Sequence, residues 1–126
     1  MRGKLLKLLE NSYAPYSKYR VASICIMHDD KEFNGVNVEN ASYGATICAE
    51  RSAIVNAISN GYGKNDFKEI HIMVDSDKLG SPCFVCRQVI SEFFDKNAKI
   101  ILYSHNEKKE YTVSTLCPYP FNEEML

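Results

Sequence analysis

Apolar positions in this chain recur with two different periods, and their alternation predicts an α/β domain. Arg2 to Asn11 gathers Leu5, Leu6, Leu8 and Leu9 on one side of a short helix that stops at the turn-prone Tyr13-Ala14-Pro15-Tyr16. Arg20 to His28 is largely apolar and extended, Asp29-Asp30-Lys31 makes a tight connection, and Glu32 to Val38 resumes as a strand. The pair predicts a hairpin. Ile47, Ala49, Ala53, Ile54, Ala57 and Ile58 fall at helical spacing between Ile47 and Ser59, and Asn60-Gly61 is a stop signal. Phe67 to Val74 reads as the next strand, Pro82 introduces a helix from Cys83 to about Phe94, and Lys99 to Tyr103 is a further strand. Asn106-Glu107-Lys108-Lys109-Glu110 reads as a charged turn and Tyr111 to Val113 as a weak strand. Pro118-Tyr119-Pro120 breaks the tail.

No repeat, linker or low-complexity stretch interrupts this pattern, so residues 1–126 are expected to form one domain. The hydrophobic share of 45% suffices for an ordinary core. Fifteen Lys and Arg against sixteen Asp and Glu give a formal net charge of -1, which offers a phosphate backbone no general attraction. A dedicated nucleic-acid partner is therefore not expected. Apolar runs are far too short to span a membrane and no charged-then-apolar leader pattern opens the chain, so the expected location is the cytoplasm. Five cysteines in such a chain favour reduced thiols and metal over a disulfide framework.

Two short runs concentrate the chemistry: Thr46-Ile47-Cys48-Ala49-Glu50-Arg51 and Ser81-Pro82-Cys83-Phe84-Val85-Cys86-Arg87-Gln88. A Cys-x-Glu followed by Pro-Cys-x-x-Cys matches the pattern of zinc-dependent base deaminases. Cys48 falls near the start of one predicted helix, while Cys83 and Cys86 share a face in the first turn of another. Helix starts carry partial positive charge, which favours thiolates. Three ligands leave a fourth tetrahedral position open, as in a catalytic zinc site. Glu50 is two residues from Cys48 and cannot face the same way on a helix, so it is better suited to carry protons than to bind metal. Three thiolates on Zn²⁺ leave a net negative cluster; Arg51 and Arg87 are candidates to donate hydrogen bonds to the sulfurs and withdraw that charge.

In these residues the chain resembles a small zinc-dependent cytidine deaminase of the homotetrameric kind. The resemblance runs from Tyr13-Ala14-Pro15-Tyr16-Ser17-Lys18-Tyr19 through Gly35-Val36-Asn37-Val38-Glu39-Asn40-Ala41-Ser42-Tyr43 and the two cysteine runs to Leu116-Cys117-Pro118-Tyr119-Pro120-Phe121. It implies a three-layer α/β/α sandwich on a five-stranded mixed sheet. It implies hydrolytic deamination of cytidine and deoxycytidine in pyrimidine salvage, with one Zn²⁺ per chain activating water and Glu50 shuttling the proton. By the same resemblance Asn37 and Glu39 bind the ribose, Tyr19 packs on the base, and backbone groups at Ala49 and Ser81 read the pyrimidine. Phe121 then reaches into a neighbouring subunit's site within a homotetramer. An amide and a carboxylate suit a sugar diol, and alternation along one strand puts Asn37 and Glu39 on the same side.

The chain departs from the resembled pattern at Phe84, where a glycine is usual, at Val21-Ala22-Ser23-Ile24 in place of Val-Gly-Ala-Ala, at Tyr19 for a frequent Phe, and at Cys117 for a frequent Leu. Phe84 is expected to crowd the metal helix. Cys25 and Cys117 read as buried structural thiols, and His28, His71 and His105 as surface or strand residues. Two other readings stay open at this point. One is a zinc deaminase of another cytosine-containing substrate, such as a nucleoside antibiotic. The other is a non-catalytic zinc module, which needs no Glu50 and a fourth protein ligand.

Overall fold

The computed structural model describes residues 1–126. Five strands form one mixed sheet in the order β2-β1-β3-β4-β5: β1 Val21–Met27, β2 Glu32–Val36, β3 Phe67–Val74, β4 Phe94–Tyr103 and β5 Lys108–Thr112. All pairings are antiparallel except β3 with β4, which run parallel because helix α3, Phe84–Phe93, crosses between them. The expected sandwich on a five-stranded mixed sheet is the architecture observed.

Alternation along β1 divides the core. Ala22 and Ile24 meet Leu5 and Leu9 of α1 (Arg2–Leu9) on one face, together with Met73, Ile101 and Tyr103. Cys25 and Met27 point the other way, into the larger core with Ala53, Ile54 and Ala57 of α2 (Ala49–Ser59), Ile90 of α3, and Val113 and Leu116 of α4 (Val113–Leu116). Burying the leucine, isoleucine, valine and methionine side chains among these contributes about 1.5–3 kcal/mol each before chain entropy is counted. Gly35 of β2 lies so close to Ala49 and Ala53 that a side chain there would collide with the α2 backbone. Its missing Cβ lets the helix start sit directly on the sheet edge.

Several boundaries differ from the sequence reading. The first helix ends at Leu9, and α2 begins at Ala49 after a short 3-10 turn at Tyr43–Ala45. Strand β2 stops at Val36, but Val38 bridges both Tyr13 and Ile47, so the extended path continues past Asn37. Strand β4 starts five residues early, with an irregularity opposite Phe67 and Glu69. The expected charged turn is displaced: Lys108, Lys109 and Glu110 lie in β5, an edge strand whose exposed positions accept charge, and residues 104–107 make the connection. Val113–Leu116 is a helix rather than a strand end, capped by the Thr112 side chain accepting from the Thr115 N–H. His71 is one of the expected strand residues, buried in β3 and hydrogen-bonded to the Tyr103 hydroxyl and to Glu69.

Candidate metal centre and active site

Cys48 and Cys83 are the N-cap residues of α2 and α3, each in extended backbone conformation, and Cys86 lies in the first turn of α3. The Cys83 Sγ accepts from the Cys86 N–H at 3.4 Å, so the cap itself aims this sulfur back over the helix start. The three Sγ atoms lie within 4.8 Å of one another, with Cys48 and Cys83 3.8 Å apart. Zinc–sulfur bonds of about 2.3 Å at tetrahedral angles place sulfurs about 3.8 Å apart. The trio therefore fits a zinc ion.

Cys48 is poised as a thiolate. Its thiol is pulled down to about 5, first by the hydrogen bond from the Cys86 thiol, with Arg51 and Cys83 adding to the effect against partial burial. Cys86 is pushed up in turn, by the bond its own thiol donates to Cys48 and by its burial. Arg51, one turn along α2, donates from Nη2 to the Cys48 Sγ at 3.5 Å, and that bond raises its own pKa.

Glu50 points from the first turn of α2 into the same pocket, where it is 5% exposed. Burial pushes its carboxyl up to about 7, and the charge of Cys48 adds to the rise. A carboxyl held there takes up and gives back a proton near neutrality.

The pocket measures about 250 Å³ and runs from the sulfurs to Tyr19, Asn37, Glu39 and Ser81. Val21, Ile72 and Val74 give it an apolar floor, and Ala49 lies at its back. Tyr19 is 41% exposed, and its hydroxyl passes over Gly80 where a Cβ would stand only 2.6 Å away. Its pKa is raised by partial burial and then by Glu50. The Asn37 Oδ1 accepts from the Ser12 hydroxyl and the Val21 N–H, while its Nδ2 donates to the Tyr19 carbonyl at 2.7 Å, leaving one amide hydrogen over. Glu39 accepts from the Tyr16 and Ser17 N–H groups and from the Ser17 hydroxyl, which holds its carboxyl below the usual range.

Residues 2–104 match the family model described as the cytidine and deoxycytidylate deaminase zinc-binding region. The chain belongs to that family. It is 39% identical to the cytidine deaminase of Halalkalibacterium halodurans over 116 residues, 91% of this chain and 86% of that one. It is also 39% identical to that of Sporosarcina psychrophila over 123 residues, covering 95% and 88%. The crystal structure of cytidine deaminase from Burkholderia pseudomallei superposes with a TM-score of 0.90 at 33% identity, covering 94% of each chain.

Not every residue expected at the site of this cytidine deaminase family member is there. The Arg87 guanidinium does not reach a metal-site sulfur: it donates to the Pro82 carbonyl at 2.8 Å and the Leu116 carbonyl at 3.0 Å, and lies 4.4 Å over the Phe84 ring. Phe84 itself is 75% exposed, needs no positive φ and lies outside the catalytic pocket, so it does not crowd the metal. Phe121, expected at a neighbouring subunit's site rather than at its own, lies in a groove between α3 and the tail, where Gln88 donates to its carbonyl. Cys25 and Cys117 are buried, as expected. The sequence reading passed over Ser17 and Ser12, which hold Glu39 and Asn37, and Gly80, which makes room for Tyr19. Only Gly80, within Leu79-Gly80-Ser81-Pro82, carries a local signal, that of a turn.

Proposed function

We propose that this chain hydrolyses the exocyclic C–N bond of cytidine and deoxycytidine, giving uridine or deoxyuridine and ammonia, as part of pyrimidine salvage. The observation that carries the reading is the convergence of three cysteine sulfurs at zinc spacing, two of them lining one pocket of nucleoside scale together with a buried carboxyl. When bound, zinc supplies a Lewis acid that lowers the pKa of water near the reacting carbon.

The chain's own residues do the rest. Cys48, Cys83 and Cys86 hold the ion, and Arg51 draws charge from Cys48 through the bond to its sulfur. Glu50 takes the proton from the attacking water, delivers it to the ring nitrogen, and passes a proton to the departing amine. One C–O bond forms, one C–N bond breaks, and no electrons change hands. Tyr19 packs on the base, Asn37 and Glu39 orient the ribose, and main-chain groups at Ala49 and Ser81 read the pyrimidine edge. The bonds donated by Ser12 and Ser17, and the one Asn37 donates to the Tyr19 carbonyl, support this assignment, because they fix the two polar side chains before substrate arrives.

The proposal includes a homotetramer with shared sites in the cytoplasm. Phe84, Val85, Tyr119 and Phe121 are all exposed on α3 and the tail, an apolar face suited to a second copy. No helix is long and apolar enough to cross a membrane. Assaying ammonia release from cytidine, deoxycytidine, free cytosine and blasticidin S tests the substrate class. Turnover is expected on the first two; preference for blasticidin S would favour the antibiotic-directed reading.

A further inference from the structure

The side of the sheet that faces α2 beneath the pocket is apolar along β1 except at one position. Because Ala22 and Ile24 pack on α1, while Cys25 and Met27 pack on α2, strand alternation assigns Ser23 to the α2 side. Ser23 is wholly buried, and its Oγ has no hydrogen-bond partner. Directly opposite it stand Gly35 of β2, whose α-carbon abuts Ala49 and Ala53, and Ile72 of β3, which lines the pocket. Residues opposite one another share a face. Ser23 therefore lies under the opening turn of α2, the segment that carries Glu50.

Glu50 in turn lacks a firm donor. Its carboxyl is reached by the Cys86 thiol and its own main-chain N–H, and Arg51 acts on it by charge alone. A cysteine that binds metal has given up its proton and donates nothing. An enclosed hydroxyl without a partner is costly, whereas a serine side chain turns readily among three staggered positions.

We propose that Ser23 is a positioning residue for Glu50: its hydroxyl donates to the Glu50 carboxyl, directly or through one enclosed water, and holds it aligned with the substrate nitrogen. The inference rests on the proposed role of Glu50 as proton carrier. It assigns a task to a position where this chain departs from the pattern it resembles.

The test is Ser23→Ala in the zinc-loaded protein, measured for cytidine turnover, zinc content and thermal midpoint. A lost hydrogen bond of ordinary strength predicts a kcat lower by about threefold to tenfold. KM should stay within about twofold, as for a group that acts on chemistry rather than on binding. Zinc content should be unchanged, and the midpoint should fall by a few degrees. An unchanged kcat with a raised midpoint would mean that a solitary hydroxyl had been relieved, and the proposal would be overturned. So would kcat and zinc content falling together, since that marks a packing role. An active wild type with an unaffected Ser23→Ala variant removes this inference alone, whereas a zinc-loaded wild type that releases no ammonia from cytidine removes the proposed function with it.

Discussion

Arg51 donates to the Cys48 sulfur at 3.5 Å, while Arg87, although adjacent to Cys86 in sequence, turns away to the carbonyls of Pro82 and Leu116. The two arginines should therefore fail differently. Arg51→Gln is expected to weaken zinc retention or turnover roughly tenfold, the lower end for groups that support a metal ligand. Arg87→Gln should loosen the tail over α3, lowering the thermal midpoint while the metal stays bound. Zinc competition titrations and thermal melts on both variants separate the effects; equal zinc loss in the two would contradict the assignment.

The metal prediction is one zinc per chain. Protein purified without added metal should carry it by elemental analysis, and Cys83→Ser should lose most of it, because a hydroxyl replaces the thiolate at the α3 cap. A Cys83→Ser protein with full zinc would exclude the cysteine trio as the site.

Glu39 and Asn37 predict discrimination through the sugar. Free cytosine should be a poor substrate beside cytidine, and Glu39→Ala should narrow that gap by lowering kcat/KM for the nucleoside alone. Glu39 also pins the Tyr16 and Ser17 N–H groups, so the same change should make residues 12–21 easier to proteolyse. Equal efficiencies for base and nucleoside in the wild type would leave the pair without its assigned role.

How far the sequence disclosed this arrangement depended on how local each signal was. Cys48, Glu50, Cys83 and Cys86 lie within two helix starts, where spacing alone fixes relative direction, and they converge as expected. The partners of Asn37 come from Ser12, Tyr19 and Val21, distant in sequence and met only when β1 and β2 pair, so no spacing announces them. Arg87 misled because adjacency to Cys86 says nothing of direction: successive helix side chains diverge. Lys108-Lys109-Glu110 looked like a turn because an edge strand need not alternate, and the four residues of α4 are too few to show a helical period.

Assembly is predicted to be a tetramer of 222 symmetry, the common closed arrangement of four identical chains. Light scattering should give four times the chain mass, and a fully active monomer would exclude shared sites. Mixing a Phe121→Ala chain with a Glu50→Gln chain should restore activity only at sites that combine an intact Glu50 with an intact Phe121 from a neighbour.

The central claim, that Glu50 carries the proton beside a cysteine-held zinc, is tested most directly by Glu50→Gln. The amide fills the same buried space but moves no proton, so the variant should keep its fold and its zinc while turnover of cytidine drops by at least ~100-fold. Near-normal turnover in a zinc-replete Glu50→Gln protein would contradict it.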